Sequence, residues 1–292
     1  MTEGFTVENW KLRLMRKPVE DAFGFDNMSK IMAVADGVTR DPFEDLHNVG
    51  TLMGKIDFLL NYPKPSPAKV ASNILVETFR IALIDYYELN RNEKAIRKAF
   101  DEANKEIRNW NGRNISNADY LTNDFAGCVA AGICRLSDVF SFGYLTDAGI
   151  AVFDLLGNLK FRTENQGPDK HDKYIWQDKR LQGIDWRNPE ARRIVRRDYR
   201  NNPKEEHSFG VLTGEDSAMN YVRTGTQELR GDDILVVYTD GLESTIFSGE
   251  FSDLIRRKNI KGIEKLCKKK VRTEGTIVYY HHPSELNYSS RF

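Results

Sequence analysis

Ile31-Met32-Ala33-Val34-Ala35-Asp36-Gly37 reads as a short apolar strand that stops on an Asp-Gly pair. An unbroken apolar run of this length, bounded by a turn signal, is a buried strand. A second segment has the same form: Leu235-Val236-Val237-Tyr238-Thr239-Asp240-Gly241. A buried strand holds its terminal carboxylate rigidly, and the glycine lets a backbone carbonyl oxygen come close to an ion. Either Asp-Gly alone also reads as an ordinary turn, because this is the commonest turn dipeptide.

Working outward, residues 22–38 form two strands around a turn. Phe23 and Phe25 alternate with small or polar residues, and Asp26-Asn27 supplies the turn. Residues 41–65 are broken up by Pro42, Pro63 and Pro65. A helix starts next, with Ser66 as its cap and Pro67 at its first position. Val70, Ile74, Leu75, Phe79, Leu83 and Tyr86 give it one apolar face. A second helix carries Ile96, Phe100, Ala103, Ile107 and Trp110 on one stripe and stops at Gly112. Residues 126–163 are strand-like, with Leu156-Gly157-Asn158 as a hairpin turn. Residues 168–207 are polar and charged, an irregular insert. Strand signals return at 234–238 and 276–280, with a helical stretch at 251–270 between them. Helices and strands are segregated rather than alternating, which makes the fold class α+β.

The chain has 292 residues, 40% of them hydrophobic, enough for a full core in one large domain or two small ones. Its 43 basic and 43 acidic residues cancel, which argues against bulk attraction to nucleic acid or an anionic membrane. Three cysteines, Cys128, Cys134 and Cys267, fit no disulfide framework or zinc site, and a reducing compartment is expected. Residues 1–16 carry no apolar leader, and no stretch approaches the roughly 20 apolar residues of a membrane span, so cytoplasm is the expected location.

Besides Asp36 and Asp240, three acidic positions stand beside strands. Glu20-Asp21 precedes the first strand, just after Arg16 and Lys17. Asp147 lies between two apolar strands in Gly143-Tyr144-Leu145-Thr146-Asp147-Ala148-Gly149, and Glu274 comes just before the last strand. Oxygen ligands at strand ends, without histidine or cysteine among them, select a hard cation, Mg²⁺ or Mn²⁺ with retained waters. A pair of such ions bridged by one Asp lowers the pKa of a shared water, which then attacks phosphorus in line. An arginine beside them orients phosphate by a bidentate contact, and Arg16 is close in sequence to Glu20 and Asp21.

The set and order of these segments resemble the metal-dependent protein phosphatase family, also called protein phosphatase 2C. The segments are 16–22, Ala35-Asp36-Gly37, Phe125-Ala126-Gly127-Cys128, Leu145-Thr146-Asp147-Ala148, Tyr238-Thr239-Asp240-Gly241-Leu242 and Thr273-Glu274-Gly275-Thr276-Ile277-Val278. Residues 210–215 and 229–233 also resemble segments of prokaryotic members, and the likeness spans roughly residues 10–280. It implies a phosphatase domain over 1–280, four αββα layers of two antiparallel sheets flanked by helices, with 168–207 as a variable flap and 281–292 as a polar tail. It implies hydrolysis of phosphoserine or phosphothreonine in a phosphoprotein substrate by a water held between two divalent ions. In that scheme Asp36 bridges the ions with the Gly37 carbonyl facing one of them. Glu20 binds the second ion and Asp240 the first, Asp21 supports their waters, Arg16 binds phosphate, and Asp147 matches a third, weaker metal position.

The sequence departs from the family pattern in specific places. Thr273 stands where the last metal-binding Asp is expected, leaving Glu274 beside it as the candidate carboxylate. Val38 replaces a histidine found in eukaryotic members, Thr39 and Arg40 replace glycines, and Ser244 replaces an acid, with Glu243 adjacent. A catalytically weak pseudophosphatase that binds phosphoprotein or another partner is therefore the alternative reading. Residues 179–200 hold Arg180, Arg187, Arg192, Arg193, Arg196, Arg197 and Arg200, but Asp185, Glu190 and Asp198 interleave. A solvated helix face is the favoured reading over a phosphopeptide or nucleic-acid contact.

Overall fold

The computed structural model describes residues 2–10, 13, 18–38, 51, 53, 54, 56, 60, 64–85, 92–115, 125–184 and 188–282. Arg16, Lys17, Thr39, Arg40, Tyr86, Asp185 and Arg187 lie outside the described residues.

Among the described residues, ten strands make two antiparallel sheets of five. They are β1 (Thr2–Glu8), β2 (Ala22–Asp26), β3 (Ile31–Gly37), β4 (Cys128–Leu136), β5 (Val139–Leu145), β6 (Gly149–Phe153), β7 (Leu159–Arg162), β8 (Arg223–Glu228), β9 (Ile234–Tyr238) and β10 (Glu274–His281). One sheet runs β1-β10-β9-β6-β7 and the other β2-β3-β4-β5-β8. Helices α1 (Pro67–Asp85) and α2 (Glu93–Asn114) cover the second sheet. Helices α6 (Gly249–Arg256) and α7 (Ile260–Lys270), which follow the single turn α5 (Glu243–Ile246), cover the first. The result is the expected αββα sandwich.

Alternation along the strands explains the unbroken apolar runs. Met32 and Val34 of β3 face the core between the sheets, while Ile31, Ala33 and Ala35 face α1 and α2. In β9, Leu235 and Val237 face the inter-sheet core, while Val236 and Tyr238 meet α6 and α7. A sheet covered on both faces needs apolar residues at every position, so polar alternation disappears. Cys128, Cys134 and Cys267 are all buried, and none of them is in a disulfide.

Several details differ from the sequence reading. The buried face of α1 is Pro67, Ala68, Ala71, Ser72, Leu75, Val76, Phe79, Ala82 and Leu83, so the expected Leu75, Phe79 and Leu83 are joined by Val76 and three alanines. Val70 and Ile74 lie at its margin. Helix α2 passes through Gly112 to Asn114, because a glycine that keeps helical backbone angles weakens a helix without ending it. The stretch 251–270 is two helices, separated at Lys258 (φ 51°) and restarted by Asn259, whose side chain accepts from the Gly262 amide. Strands β1 and β8 were not anticipated. β1 alternates only weakly, and β8 is a polar edge strand (Arg-Thr-Gly-Thr-Gln-Glu) with no fully buried residue.

The tail is also corrected. β10 continues through His281, and His282 is buried against Arg135 and Asp138. Residues 283–292 lie outside the described residues. The insert at 168–207 has a core of its own: α3 (Pro168–Ile175), α4 (Pro189–Ile194) and a π-helical turn (Val195–Tyr199) enclose Ile175, Leu181, Ala191, Ile194 and Tyr199 against Val129, Phe209 and Val211.

Candidate metal centre

Antiparallel register brings one end of each sheet to a common rim. Gly37, the last residue of β3, pairs with Cys128 at the start of β4, and Tyr238, the last of β9, pairs with Gly149 and Ile277. The Asp-Gly pairs therefore reach the same end of the sandwich. Asp36 and Gly37 close β3, Asp147 sits in the turn between β5 and β6, Asp240 opens a 3-10 turn after β9, and Glu274 begins β10. Asp36, Gly37, Val38, Asp147, Asp240, Thr273 and Glu274 line one cavity of about 350 Å³. Glu20 and Asp21 lie behind its wall, just before β2, and both are buried.

Two glycines permit the close approach of the elements. A side chain on Gly37 would stand 2.8 Å from the Ala68 carbonyl oxygen and 2.9 Å from that of Glu20. The first turn of α1 therefore rests directly on the end of β3. On Gly241, a Cβ would fall 1.8 Å from the Glu274 carbonyl oxygen, so no other residue fits where the two strand ends meet.

Hydrogen bonds fix two of the carboxylates. Thr276 N donates to Thr239 Oγ1 at 2.8 Å, and Thr239 Oγ1 donates to Asp21 Oδ2 at 2.8 Å. Glu274 Oε2 accepts the Glu20 backbone amide at 2.8 Å. Glu274 thus faces the cavity with one oxygen already engaged by the chain.

The charges are crowded. Burial, then the neighbouring charges of Asp21 and Asp240, hold Asp36 well above the usual carboxylate range. Burial pushes Asp147 up to about 7, with Asp240 adding to the effect. Burial likewise pushes Asp21 up to about 6, against the hydrogen bonds that pull it down. Asp21 Oδ1 and Asp147 Oδ1 are buried without a hydrogen-bond partner in the protein. Such oxygens are costly to leave unsatisfied, and a hard cation with its water shell satisfies them. Among the described residues, no group of three His, Cys, Asp or Glu side chains stands close enough to hold a metal ion by itself. The oxygen-only donor set and the two unpartnered carboxylate oxygens fit an ion that keeps much of its water, as Mg²⁺ does.

Sequence reasoning missed Lys69, Thr239 and Thr276 in this region. Lys69 Nζ donates to the Asp21 carbonyl oxygen from the first turn of α1. That contact joins residues 48 apart in sequence, so no local pattern announces it. Thr239 could be suspected from its place just before Asp240. The arginine-rich segment also resolves. Arg180 is paired with Asp178 and with Asp198, and Arg197 with Asp198, as a solvated face requires. Arg196 and Arg200 are buried instead, and with Arg192 they line a second cavity that shares Val38, Pro168, Phe209 and Val211 with the acidic one.

No family model matches the chain, and no curated protein matches it in sequence. Solved structures do match it in fold. The serine/threonine phosphatase PstP/Ppp of Mycobacterium tuberculosis is 12% identical and superposes at a TM-score of 0.58, covering 97% of this chain and 98% of that one. The catalytic domain of PstP in complex with two manganese ions is 14% identical, with a TM-score of 0.57 and the same coverage. A bacterial serine phosphatase is 13% identical, with a TM-score of 0.63, again over 97% and 98% of the two chains. The chain has the fold of the PPM-type serine/threonine phosphatases. No helix among the described residues is long and apolar enough to cross a membrane.

Proposed function

We propose that the chain is a PPM-type phosphatase domain that hydrolyses phosphoserine or phosphothreonine esters with the help of divalent cations, Mn²⁺ or Mg²⁺. The observation that carries this reading is the gathering of Asp36, Asp147 and Asp240 around one cavity, backed by Asp21, with two buried carboxylate oxygens lacking partners. Asp36, Asp147 and Asp240 would hold the cation. Asp21, oriented by Thr239, would accept from its water shell. Bound divalent ions supply charge neutralisation on the phosphoryl oxygens and activation of the attacking water.

The protein's own contribution is rigidity and access. Strand ends fix the carboxylates, the Gly37 and Gly241 contacts fix the strand ends, and Val38, Val129, Phe209 and Val211 form an apolar wall of the cavity. Residues 168–207, packed beside that wall, would act as a flap that meets the phosphoprotein. The Arg16 role in phosphate binding rests on the motif alone. The likeness to the PstP catalytic domain in complex with two manganese ions supports divalent-ion chemistry on this fold.

A second reading, the weak or inactive phosphatase, draws on Thr273. It lines the cavity without a carboxylate, and Glu274 beside it already accepts the Glu20 amide. Hydrolysis of p-nitrophenyl phosphate by metal-stripped protein, with Mn²⁺ added stepwise, separates the two. Turnover that rises with Mn²⁺ and disappears in Asp240→Asn supports the enzyme; none at any Mn²⁺ concentration leaves the binding module.

A further inference from the structure

The two ends of the sandwich carry opposite charge. Acidic side chains gather at the rim where β3 and β9 finish, with Asp36, Asp147, Asp240 and Glu274 around one cavity. At the other end, where the same two strands begin, a separate cavity of about 360 Å³ opens between the sheets. Met32 and Ile133 form one wall, from the inner face of β3 and β4, and Leu235 and Tyr280 form the other, from the inner face of β9 and β10. Lys30 and Arg135 also line it, and none of its described lining residues is acidic. Met32 and Asp36 lie at opposite ends of β3. At a strand's rise of about 3.3 Å per residue they are about 13 Å apart, so the two cavities are distinct.

Arg135 is only 9% exposed, and its place is fixed from several sides. Its Nη1 donates to the Ser137 carbonyl oxygen at 2.8 Å and to His282 Nδ1 at 3.3 Å. A guanidinium only donates, so Nδ1 accepts, and the neutral imidazole carries its proton on Nε2, 3.3 Å from Asp138 Oδ1. The guanidinium carbon stands 4.4 Å from the centroid of the Tyr280 ring. Lys30 closes the turn before β3 with a left-handed backbone (φ 56°), and its carbonyl oxygen accepts the Arg135 amide at 3.0 Å. The exposed lysine thus stands beside the buried arginine at the cavity.

A buried cation is ordinarily met by a carboxylate. Among the described residues no carboxylate pairs with Arg135. Its partners are a carbonyl oxygen, an imidazole and an aromatic ring, and its described side-chain hydrogen bonds engage Nη1 alone. We propose that this cavity binds a small organic anion with an apolar body, in chemical terms an aryl or branched-alkyl carboxylate. The apolar body lies between the sheets against Met32, Ile133 and Leu235, and the carboxylate meets Arg135 and Lys30. Packed sheets stand about 10 Å apart, so a slot between them admits a flat ring. The site needs no metal and is separate from the acidic rim.

Calorimetric titration of the full chain with naphthoate tests the assignment. The wild type should bind one naphthoate per chain. Naphthamide, which keeps the ring and loses the charge, should bind about tenfold or more weakly. Lys30→Glu, a change at an exposed turn residue, should weaken naphthoate by about tenfold or more, and Arg135→Gln by at least as much. The apolar cleft beneath α6 and α7, lined in part by Lys258, is another cavity able to hold such a ring, and Lys258→Glu should leave the affinity unchanged. Absence of naphthoate binding up to about 1 mM overturns the proposal. So does an equal affinity for naphthamide, or an unchanged affinity in Lys30→Glu, whether or not Arg135→Gln folds. A loss in Lys258→Glu overturns it as well, by placing the ring in the other cleft.

Discussion

The backbone amide of Glu20 donates to Oε2 of Glu274 at 2.8 Å, joining residues 254 apart in sequence. The bond ties the segment entering β2 to the first residue of β10, and so links one sheet to the other at the acidic rim. The Glu274 side chain turns to the protein's own backbone, while Thr273 stands exposed at the cavity wall.

Thr273→Asp should therefore strengthen ion binding. A carboxylate placed on the cavity wall adds a ligand charge without displacing any described contact of the threonine side chain. Mn²⁺ should bind about tenfold more tightly, equivalent to ~1.4 kcal/mol. Calorimetric titration of metal-stripped protein checks this, and an unchanged affinity would mean that position 273 does not reach the ion.

Asp36→Asn should stabilise the ion-free protein, because it removes one charge from a group of mutually repelling carboxylates. Sites built for function commonly carry this cost in stability. The melting temperature in chelator should rise by a few degrees, on the order of 1 kcal/mol. The rise should shrink or reverse when Mn²⁺ is present. A lower melting temperature in chelator would show that Asp36 contributes to the fold.

Phe79 of α1 and Phe100 of α2 are fully buried and meet edge to face, with ring centroids 5.2 Å apart. They lock the two helices together over the β2-β3-β4-β5-β8 sheet. Phe79→Ala should cost about 3–5 kcal/mol by denaturant unfolding, the range for a large core truncation. A loss below about 1 kcal/mol would mean that this core readily collapses around the cavity.

His282 gives the fold a pH dependence. Burial, with the nearby Arg135 charge, lowers its pKa below the ordinary value of 6.5, and Asp138 and Asp233 only partly counter this. The unfolded chain then takes up the proton more readily than the folded one. This contribution to stability is present above pH 6.5 and is lost as pH falls through the lowered pKa. Thermal melts between about pH 8 and about pH 5, which bracket the imidazole range, should show a decline on acidification that flattens in His282→Gln. Parallel curves for the two proteins would exclude His282 as the cause.

The second cavity beside the flap helices gives an argument about substrate. Arg192, Arg196 and Arg200 line it, whereas Arg197 is held outside in its pair with Asp198. Arg192→Glu should raise KM for an acidic phosphopeptide severalfold and leave p-nitrophenyl phosphate unchanged, while Arg197→Glu should change neither. Steady-state kinetics on both substrates decide it. Equal effects on both would remove a substrate-guiding role.

Much of this architecture was legible in the sequence because its strongest signals are local. Apolar runs ending at Asp36-Gly37 and Asp240-Gly241 mark strands buried on both faces, and their carboxylates meet because strand ends meet. The apolar stripe of α2 likewise matched its buried face. What stayed hidden depends on distant partners or on weak patterns. β8 carries polar residues on both faces because it is an edge strand, and the three buried alanines of α1 carry little hydrophobic signal beside Leu75, Phe79 and Leu83. Lys69 reads as an ordinary surface lysine until α1 is docked on β3. The insert read as irregular because its small core is spread over many charged residues.

Phosphate release from phosphoserine and phosphothreonine peptides, measured with metal-stripped protein before and after adding Mn²⁺, tests the central claim most directly. The account predicts release that requires the added ion and that Asp36→Asn abolishes while still folding. Release that persists in excess chelator, or that survives in folded Asp36→Asn, would contradict it.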